Sequence, residues 1–546
     1  MVRTFVVIVT LAAAGAAVSA QEHHHDSGQL GTVTFANSCS ADVQPMFGRA
    51  MALLHSFEFG EAIDSFKAAA DGDPSCGIAW WGTAVAQWGN PFAVGIKPAA
   101  QLQPGADAIA RARAVGAKTQ RERDYVNAAA ALYDRMDTVD QRTRMIAYRD
   151  AMSRVSAKYP ADPEAAAFYA LGLAFCADPA DKTYADQLKA GAILERLWQA
   201  QPEHPGLAHY IIHSYDVPAL APKAVDAARR YAKIAPAAPH ALHMPSHTFT
   251  RLGYWQDSID TNILSAQAAR KAGALGEELH ATDYQVYAYL QTGQDAAAKR
   301  LVDQIGAAAD PTAPGVKAGA APGTSGVFAK AAVPARYALE RDAWGEAAKL
   351  EVHPARNMPQ SDAMTWFARA LGGARSGDTA TAGTAIDELQ KLIDRLTEAK
   401  ESYWVEQVTI QKLGASAWLA LAEGKTEEAL TAMRSAADRE DKTDKSAISP
   451  GPLAPAHELL GEMLLQMKQP KAALAEFQKT MAKEPNRFRG IAGAAAAASQ
   501  SGDRAAARKY YQQLLTICAR ADTPGRPELE AARQALRSTA SSGSRK

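Results

Sequence analysis

The sequence predicts an all-α fold. Alanine is abundant along the chain, runs of β-branched residues are few, and glycine and proline stand between segments of helical periodicity. With 546 residues, the chain is long enough to bury a large core. Its 59 Lys and Arg residues balance 59 Asp and Glu residues, and no basic stripe carries interleaved aromatic residues. That balance argues against a nucleic-acid partner bound through electrostatic attraction.

A period of 34 residues indicates which kind of helical fold to expect. In "AHELLGEMLLQMKQPKAALAEFQKTMAKEPN", Gly461, Ala473, Phe477 and Pro485 fall at the spacing of tetratricopeptide repeats (TPR). Small residues such as Gly461 let the two helices of a unit approach, a ring such as Phe477 fills the gap to the next unit, and the proline ends the second helix. Because no unit can bury its apolar face alone, the sequence predicts a helix-turn-helix solenoid.

The N-terminal stretch "MVRTFVVIVTLAAAGAAVSAQ" has the features of a secretory signal peptide. One early arginine precedes an apolar run, and the small residues Val18, Ser19 and Ala20 precede Gln21. A transmembrane anchor is the alternative, but the run is short for a membrane span and ends in small residues. We therefore expect cleavage after Ala20, a periplasmic or secreted protein, and no membrane span in the mature chain.

Changes of composition divide the chain into six predicted segments. The stretch "GAAADPTAPGVKAGAAPGTSGVF" has no apolar period and predicts a flexible connection between two helical halves. The tail "STASSGSRK" predicts partial disorder. The predicted boundaries are 1–20 for the signal peptide, 21–38 for a histidine-containing leader, 39–305 for an N-terminal TPR-like solenoid, 306–328 for the linker, 329–520 for a C-terminal TPR solenoid and 521–546 for the tail.

Four cysteines in an exported chain allow at most two disulfides. Cys39 and Cys76 bracket the first predicted helical hairpin and form the candidate pair. Cys176 and Cys518 lie far apart in sequence, and each is more typical of a buried apolar thiol than of a nucleophile.

Histidine pairs recur with the 34-residue period. The stretch "PGLAHYIIHSYD" contains His209 and His213, and "PHALHMPSHTFT" contains His243 and His247. Residues i and i+4 share one face of a helix, with Cβ atoms roughly 5–6 Å apart. Packed helices of successive units lie about 8–10 Å apart. The spacing therefore predicts that the four imidazoles converge on one patch of the solenoid groove.

The next unit extends this set of side chains. In "GEELHATDYQVYAYLQTG", His280 and Tyr284 are again i and i+4, and Asp283 lies beside them. They follow His243 and His247 by 37 residues, so the match requires a three-residue insertion. Imidazoles with a carboxylate suit Zn, Cu, Fe or Ni. The predicted metal ligands are His209, His213, His243, His247, His280 and Asp283.

Other interpretations of these residues remain open. An unmetallated polar groove that binds a ligand would use the same imidazoles, with Tyr284 and with Arg336 from "PARYALERDAW". Arg336 could meet an anionic ligand, although a salt bridge is the commoner role of such a residue. A purely structural hydrogen-bond network, copied by repeat duplication, is the third interpretation. The residues between His209 and His213 contain no glutamate base, which excludes the H-E-x-x-H mechanism of zinc proteases.

A second group of histidines follows the signal peptide. After cleavage the mature chain would begin with Gln21, Glu22 and then His23, His24 and His25. A free α-amine, two backbone amides and His23 could form a square-planar site, the geometry that Cu(II) and Ni(II) prefer. Cyclisation of Gln21 would block the amine, and a solvated leader without a metal is the alternative.

Several stretches together carry a family resemblance. They are "NSCSADVQPMFGRAMALLHSFEFGEAIDSFKAAADGDPSCGIAWWG", "HPGLAHYIIHSYD", "APHALHMPSHTFTRLGYWQDSI", "HATDYQVYAYLQTG", "PARYALERDAW" and "SPGPLAPAHELLGEML". From about Asn37 to Cys518 the chain resembles a family of exported bacterial TPR proteins. The resemblance implies export, and a TPR fold whose first helices line the concave face. It implies no reaction, substrate or metal.

The sequence thus predicts a binding protein with two alternatives. A histidine-lined concave groove would hold a protein, a peptide or a small ligand, with a bound transition metal such as Cu, Zn or Fe in one version. The first alternative is a metalloenzyme, an oxidoreductase or a hydrolase, that uses His209, His213, His243, His247 and His280. The second is a pure assembly scaffold that contacts its partners through exposed apolar patches. No phosphate loop, G-x-G-x-x-G after a strand, G-x-S-x-G elbow or CxxC pair occurs, so we expect no nucleotide cofactor.

Overall fold

The computed structural model describes residues 28–93, 95–317, 319–353 and 358–543. The predicted signal peptide and the leader histidines His23, His24 and His25 lie outside the described residues. Within these ranges the regular structure is helical and contains no β-strand, and successive helices pack against each other along the chain. The prediction of an all-α, TPR-like solenoid is confirmed. None of the described helices combines the length and apolar character that a membrane span requires.

The N-terminal half contains fifteen α-helices and two short 3-10 turns, Ala41–Val43 and Ala221–Ala224, within its described residues. The helices are α1 (Gln44–His55), α2 (Phe59–Gly72), α3 (Gly77–Trp88), α4 (Ala99–Val115), α5 (Gln120–Ala130), α6 (Gln141–Lys158), α7 (Pro163–Cys176), α8 (Ala185–Ala200), α9 (Pro205–Ser214), α10 (Val225–Ile234), α11 (Pro239–His243), α12 (Pro245–Leu252), α13 (Trp255–Ala272), α14 (Leu275–Gln291) and α15 (Asp295–Ala307).

The C-terminal half continues the same helix-turn-helix pattern. Its described helices are α16 (Gly323–Leu339), α17 (Trp344–Ala347), α18 (Pro359–Ser376), α19 (Thr379–Glu398), α20 (Ser402–Ala422), α21 (Thr426–Glu440), α22 (Ala456–Gln466), α23 (Pro470–Lys483), α24 (Phe488–Gln500), α25 (Arg504–Ile517) and α26 (Pro527–Gly543). The segment predicted as a linker, 306–328, therefore ends inside a helix, because α16 begins at Gly323.

Small and large residues meet as the repeat pattern predicts. A Cβ atom added at Gly461 would come within 2.9 Å of the Phe477 ring, and one added at Gly493 within 2.3 Å of the same ring. Phe477 is fully buried. The close approach of α22 and α24 to this ring therefore depends on glycine at both positions.

Several turns within helix pairs have the same backbone conformation. Three residues connect α14 to α15, α20 to α21 and α24 to α25, and the middle residue has a positive φ: 68° at Gly293, 80° at Gly424 and 83° at Gly502. Glycine adopts this left-handed conformation without steric cost. The turn from α1 to α2 has the same length, but Phe57 occupies its middle position with φ 59°.

A disulfide joins Cys39 to Cys76, with Cα atoms 4.8 Å apart, as the sequence predicts. It ties the chain before α1 to the start of α3. Cys176 and Cys518 are free and buried, and burial, the largest cause in each case, raises the pKa of both thiols to about 12. Both therefore stay protonated at neutral pH.

The two halves contact each other closely. Helix α14 packs against α16, and the buried guanidinium of Arg336 pairs with Asp283, with Nε 3.1 Å from Oδ1. Residues 442–455, between α21 and α22, return to the N-terminal half, where Tyr284 Oη donates to the carbonyl of Ala447 at 3.1 Å. We call residues 442–455 the covering segment, because they lie over the histidines described next.

Candidate metal centre

Four helices bring six histidines together. Helix α9 carries His209 and His213, α11 carries His240 and His243, α12 carries His247, and α14 carries His280. Only Met244 separates α11 from α12, because Pro245 has no N–H to donate to the preceding turn. Met244 keeps helical dihedrals, so the chain continues in almost the same direction through this break. All six imidazoles are buried, and each is less than 9% exposed.

The six histidines form two triads rather than one cluster. Triad 1 consists of His209, His213 and His240; triad 2 consists of His243, His247 and His280. Within each triad, one nitrogen from each residue lies within 4.8 Å of the others. The two pairs that the sequence analysis aligned therefore contribute to different triads.

His240 completes triad 1 and was missed by the sequence analysis. It lies three residues before His243, and residues i and i+3 also share a helix face. The i, i+3 spacing of "PHALH" carries this signal, whereas the i, i+4 spacing alone does not include His240.

The nitrogens of triad 1 are oriented by groups behind them. His209 Nδ1 lies 2.7 Å from the carbonyl oxygen of His55, and His240 Nδ1 lies 3.2 Å from Glu277 Oε1. A carbonyl can only accept, so His209 Nδ1 carries the proton and its Nε2 lone pair is free; an ionised Glu277 favours the same tautomer of His240. Nε2 of His209, His213 and His240 is buried and has no hydrogen-bond partner among the described residues.

Triad 2 is oriented in the same way. His243 Nδ1 lies 2.7 Å from Asn262 Oδ1, and the other end of that amide donates from Nδ2 to the carbonyl of Ser258 at 2.7 Å. His247 Nδ1 lies 2.9 Å from Asp216 Oδ2. With both Nδ1 atoms donating, the lone pairs of His243 Nε2 and His247 Nε2 face each other at 3.1 Å.

His280 is the third histidine of triad 2, and the two triads lie close to each other. His280 Nδ1 is buried without a partner in the described chain. The ring centres of His240 and His243 are 6.0 Å apart, and those of His213 and His247 are 6.1 Å apart. The triads are therefore neighbours within one chamber.

Burial keeps these imidazoles neutral. Desolvation is the largest cause in every case: it lowers the pKa of His240 and His243 to about 3, and moves the pKa of His209, His213 and His280 well below the ordinary value. Neighbouring imidazoles add to the effect. The rings are therefore in the form that a metal ion binds.

Asp216, which follows α9 and is absent from the predicted ligands, supports triad 2 through its contact with His247. Burial alone would raise its pKa, but Lys445 and Arg251 outweigh that effect and hold the pKa well below its usual range. Arg251 Nε donates to Asp216 Oδ1 at 2.9 Å, while Lys445 Nζ lies 3.7 Å away. The carboxylate is therefore charged and able to fix the Nδ1–H tautomer of His247.

Three other predicted site residues lie beside the triads rather than within them. The carboxylate of Asp283 pairs with Arg336, because a buried guanidinium requires a counter-charge. Arg336 also donates to the carbonyl of Gly451 at 3.2 Å. Tyr284 Oη lies 3.4 Å from His247 Nε2 and donates to Ala447. These side chains therefore hold the covering segment over the chamber.

A third group, His55, Glu164 and His204, lies behind triad 1. His55 Nε2 and His204 Nε2 are each 2.9 Å from one oxygen of Glu164, and His55 Nδ1 is 2.9 Å from Tyr210 Oη. Burial would raise the pKa of Glu164, but the two imidazoles reverse that and lower it. Both oxygens of Glu164 and both nitrogens of His55 are hydrogen-bonded, and only His204 Nδ1 lacks a partner in the described chain, so this group supports His55, whose carbonyl orients His209.

A small cavity gives access to both triads. Its volume is about 50 Å³, and His213, His240, His247 and His280 all line it. The remaining walls come from three loops and α16: Asn90, Phe92, Ala93, Met244, Ala321, Pro322, Thr324, Ser325, Ser446, Ala447 and Ile448. A small molecule in this cavity would contact imidazoles of both triads.

Comparisons with known proteins do not assign the chain to a family. No protein-family model matches the sequence, and none of the curated proteins does. Among solved structures, a human IFIT1 dimer with PPP-AAAA is similar over 88% of this chain and 96% of that chain, at 11% identity and a TM-score of 0.35. Naa15/Naa10 bound to HypK-THB is similar over 87% and 70%, at 12% identity and a TM-score of 0.23. Likeness at this level carries no argument about function.

Proposed function

We propose that the protein is an exported TPR-like protein that binds two transition-metal ions, one in each histidine triad. The observation that carries the proposal is the 3.1 Å separation of His243 Nε2 and His247 Nε2. The signal-peptide features and the Cys39–Cys76 disulfide support export, because disulfides persist in oxidising compartments.

The facing nitrogens of triad 2 are hard to explain without a shared ion. A hydrogen bond between them needs a proton on one Nε2, yet each ring already donates its Nδ1 proton to an oxygen. One ring would then have to be an imidazolium, which burial opposes. Two nitrogens that bind one metal at about 2.0–2.1 Å stand roughly 3.0–3.6 Å apart. The observed separation lies in that range.

Triad 1 supports the proposal in a different way. Three buried nitrogen atoms without partners cost roughly 1–3 kcal/mol each when they stay unsatisfied. A metal ion would satisfy all three at once. One nitrogen of each of the three residues lies within 4.8 Å of the others, so rotation of the rings would bring them towards a common ion.

Copper is the metal that the ligand set favours. Each triad offers three neutral imidazoles and neither a thiolate nor a carboxylate ligand. Imidazole sets suit Cu, Zn, Fe and Ni, and copper binds most tightly in the general affinity order of divalent metals. Zinc or iron in place of copper would keep the two sites and change the chemistry that they support.

Elemental mass spectrometry on untagged protein, exported by its own signal peptide, tests the proposal. We expect two equivalents of metal. The double variant His209→Ala, His240→Ala should lose one equivalent, and His243→Ala, His247→Ala should lose the other. His457→Ala, a buried histidine of the C-terminal half, is the matched control and should lose none.

A variant with His23, His24 and His25 changed to alanine separates the leader from the chamber. If the chamber binds the metal, this variant keeps both equivalents. Protein that contains no metal after exposure to copper, zinc and iron would overturn the proposal and favour an unmetallated polar groove.

A metalloenzyme is the second candidate, and the cavity beside the triads favours it. Three protein ligands with an open position are typical of catalytic sites. Four imidazoles from both triads line the cavity, so a ligand there would reach the open position of either ion. The covering segment lies over this cavity and favours a small ligand over an extended peptide.

A further inference from the structure

A further cavity lies in the C-terminal half of the molecule, where α20 faces the covering segment; we call it the α20 cavity. Its volume is about 80 Å³. One water needs about 10–15 Å³ of such space, so the cavity has room for roughly five to eight non-hydrogen atoms. The covering segment contributes to the walls of this cavity and of the one beside the triads, and Ser446 lines both. None of the triad histidines lines the α20 cavity, so it is a separate candidate binding site.

Large aromatic and apolar side chains line the α20 cavity. They come from α16, α18, α20, α21, α22 and the covering segment: Phe328, Met364, Phe367, Tyr403, Trp404, Ile410, Met433, Leu453 and Leu459. The ring centres of Phe328 and Trp404 lie 5.8 Å apart. Such walls favour a ligand with an aromatic body, because rings attract each other in offset and edge-to-face arrangements.

The charged residues around the α20 cavity are balanced. Three acidic residues line it, and so do three lysines: Glu440, Asp444 and Glu484 against Lys445, Lys479 and Lys483. The imidazole of His457, which also lines it, is paired with Asp441 and Glu476. Neither sign of charge is in excess, so the cavity suits an uncharged molecule better than an ion.

One face of α20 forms a continuous wall of the cavity. Trp404, Gln407, Gln411 and Gly414 all line it, and their spacings of three and four residues place them on the same side of the helix. Gln407 Nε2 donates to Thr443 Oγ1 at 3.1 Å, which holds this face against the covering segment. The remaining three residues of the face point to a ligand.

Gly414 leaves space that a side chain could fill. It is buried inside α20, and a Cβ atom added there would lie 3.5 Å from Leu459 Cδ1 and 3.6 Å from Met433 Cε, which are ordinary van der Waals distances. An added Cβ atom at Gly461 would instead lie 2.9 Å from the Phe477 ring. Glycine weakens a helix interior, so a buried helical glycine needs a reason. At Gly414 that reason is not close packing, and the result is open space in the cavity wall.

Two polar side-chain atoms on the same face are buried without a partner. Trp404, 4% exposed, has no acceptor for its Nε1–H among the described residues, and Gln411 Oε1 has no donor there. Gln411 Nε2 contacts only the weak acceptor Sδ of Met364, at 3.7 Å. An unsatisfied buried polar group is costly, so both atoms favour a ligand that forms hydrogen bonds. A hydroxyl group donates and accepts, and so it suits a cavity with an unpaired donor and an unpaired acceptor.

We infer that the α20 cavity binds a small uncharged aromatic alcohol, of the class of phenol, whose hydroxyl group accepts from Trp404 Nε1. Phenol falls within the range of size that the cavity admits. Its ring would lie against the aromatic walls, in the space left open by Gly414. This site goes beyond the metal sites proposed for the triads and does not depend on them.

Isothermal titration calorimetry on the full protein, treated with a chelator so that phenol cannot bind to copper, tests the site. We expect one equivalent of phenol to bind. Gly414→Leu should fill the open space and weaken binding by about tenfold or more. Gly383→Leu, at a helical glycine of α19 whose added Cβ would have no atom within 4 Å, is the matched control and should change nothing. Wild type that binds no phenol, or an unchanged affinity in Gly414→Leu, would overturn the inference.

Trp404→Phe tests the hydrogen bond without adding bulk to α20. Phenylalanine keeps a ring but removes Nε1, so phenol affinity should fall roughly three- to tenfold. Toluene matches phenol in size and has no hydroxyl group, so its affinity should change little. Trp418→Phe, which removes another unpartnered Nε1 from the same helix outside the cavity lining, is the control. Unchanged phenol affinity in Trp404→Phe, or an equal loss for both ligands, would overturn the assignment of an alcohol.

The inference and the proposed function fail separately. The variants His209→Ala, His240→Ala and His243→Ala, His247→Ala should bind phenol as the wild type does. Phenol binding that disappears in either variant would overturn the inference, because the phenol would then lie in the chamber. Protein that binds no metal but binds phenol in the expected way would support the inference and contradict only the proposed function.

Discussion

Buried histidines in the two halves of the molecule differ in their partners. In the C-terminal half, His457 Nδ1 lies 2.6 Å from Glu476 and its Nε2 lies 3.1 Å from Asp441. Burial opposes protonation of His457, but the two carboxylates outweigh it and raise the pKa. In the chamber, His209 and His240 are anchored at Nδ1 only, and burial lowers their pKa. His457 is therefore paired at both nitrogens, whereas Nε2 of His209 and of His240 has no partner in the described chain.

Copper binding should produce the largest change in stability that distinguishes the triads from His457. At a free copper concentration of 100 times the dissociation constant, each site adds about 2.7 kcal/mol to the free energy of unfolding, so two sites add about 5 kcal/mol. Urea unfolding with and without copper measures the gain. The His243→Ala, His247→Ala variant should keep about half of it, and His457→Ala should keep all of it. An equal gain in every variant would mean that copper binds elsewhere.

Arg487 in the C-terminal half shows what a fully paired buried charge is worth. Its Nε lies 2.8 Å from Glu458 and its Nη1 lies 2.7 Å from Glu340. Arg487→Met should leave the buried carboxylate of Glu340 unpaired and leave Glu458 with only Arg489, 3.8 Å away, and should lower the free energy of unfolding by about 3–5 kcal/mol. The control, Arg533→Met, removes an exposed pair and should change it by less than about 1 kcal/mol. Equal losses of unfolding free energy in the two variants would contradict the expected difference between buried and surface ion pairs.

Asp216→Asn should weaken triad 2 without removing a ligand. The amide keeps the size of the carboxylate but removes the charge that fixes the tautomer and raises the basicity of His247. We expect a 10- to 100-fold loss of metal affinity at triad 2. Titration with a competing chelator measures both sites, and triad 1 should be unchanged. Asp441→Asn, beside His457, is the control and should change neither site.

The pH dependence of stability should show the smallest effect, at His457. Its pKa is raised in the folded protein, so its pairing stabilises the fold fully below the unfolded pKa of about 6.5 and is lost as pH rises through the folded value. Melting temperatures of wild type and His457→Gln should therefore differ more at about pH 6 than at about pH 9. A difference that grows with pH would contradict the assigned carboxylate pairing.

The repeat period predicted five of the six histidines of the chamber. It did not predict how these histidines divide into two triads. His209, His213, His243, His247 and His280 were found because the 34-residue period and helical spacing depend only on the local sequence. The division into two triads depends on which ring faces which neighbour. That is set by the break at Pro245 and by packing between helices, and the sequence spacing does not encode either.

The supporting groups lay beyond what sequence could predict. Asp216 and His247 are 31 residues apart, and Ala447 and Tyr284 are 163 residues apart. No local pattern connects such pairs, because they meet only after the solenoid closes on its covering segment. Asp283 was predicted to lie among the imidazoles from its place beside His280. The structure pairs it with Arg336, because a buried guanidinium attracts a nearby carboxylate more strongly than neutral imidazoles do.

Anomalous diffraction at the copper absorption edge, from crystals of the copper-treated full protein, tests the central claim most directly. Two separate peaks are expected, one between the nitrogens of His209, His213 and His240 and one between those of His243, His247 and His280. Copper bound to the protein with no peak in either triad would contradict the account. The chamber would then be a polar groove whose imidazoles bind a ligand through hydrogen bonds.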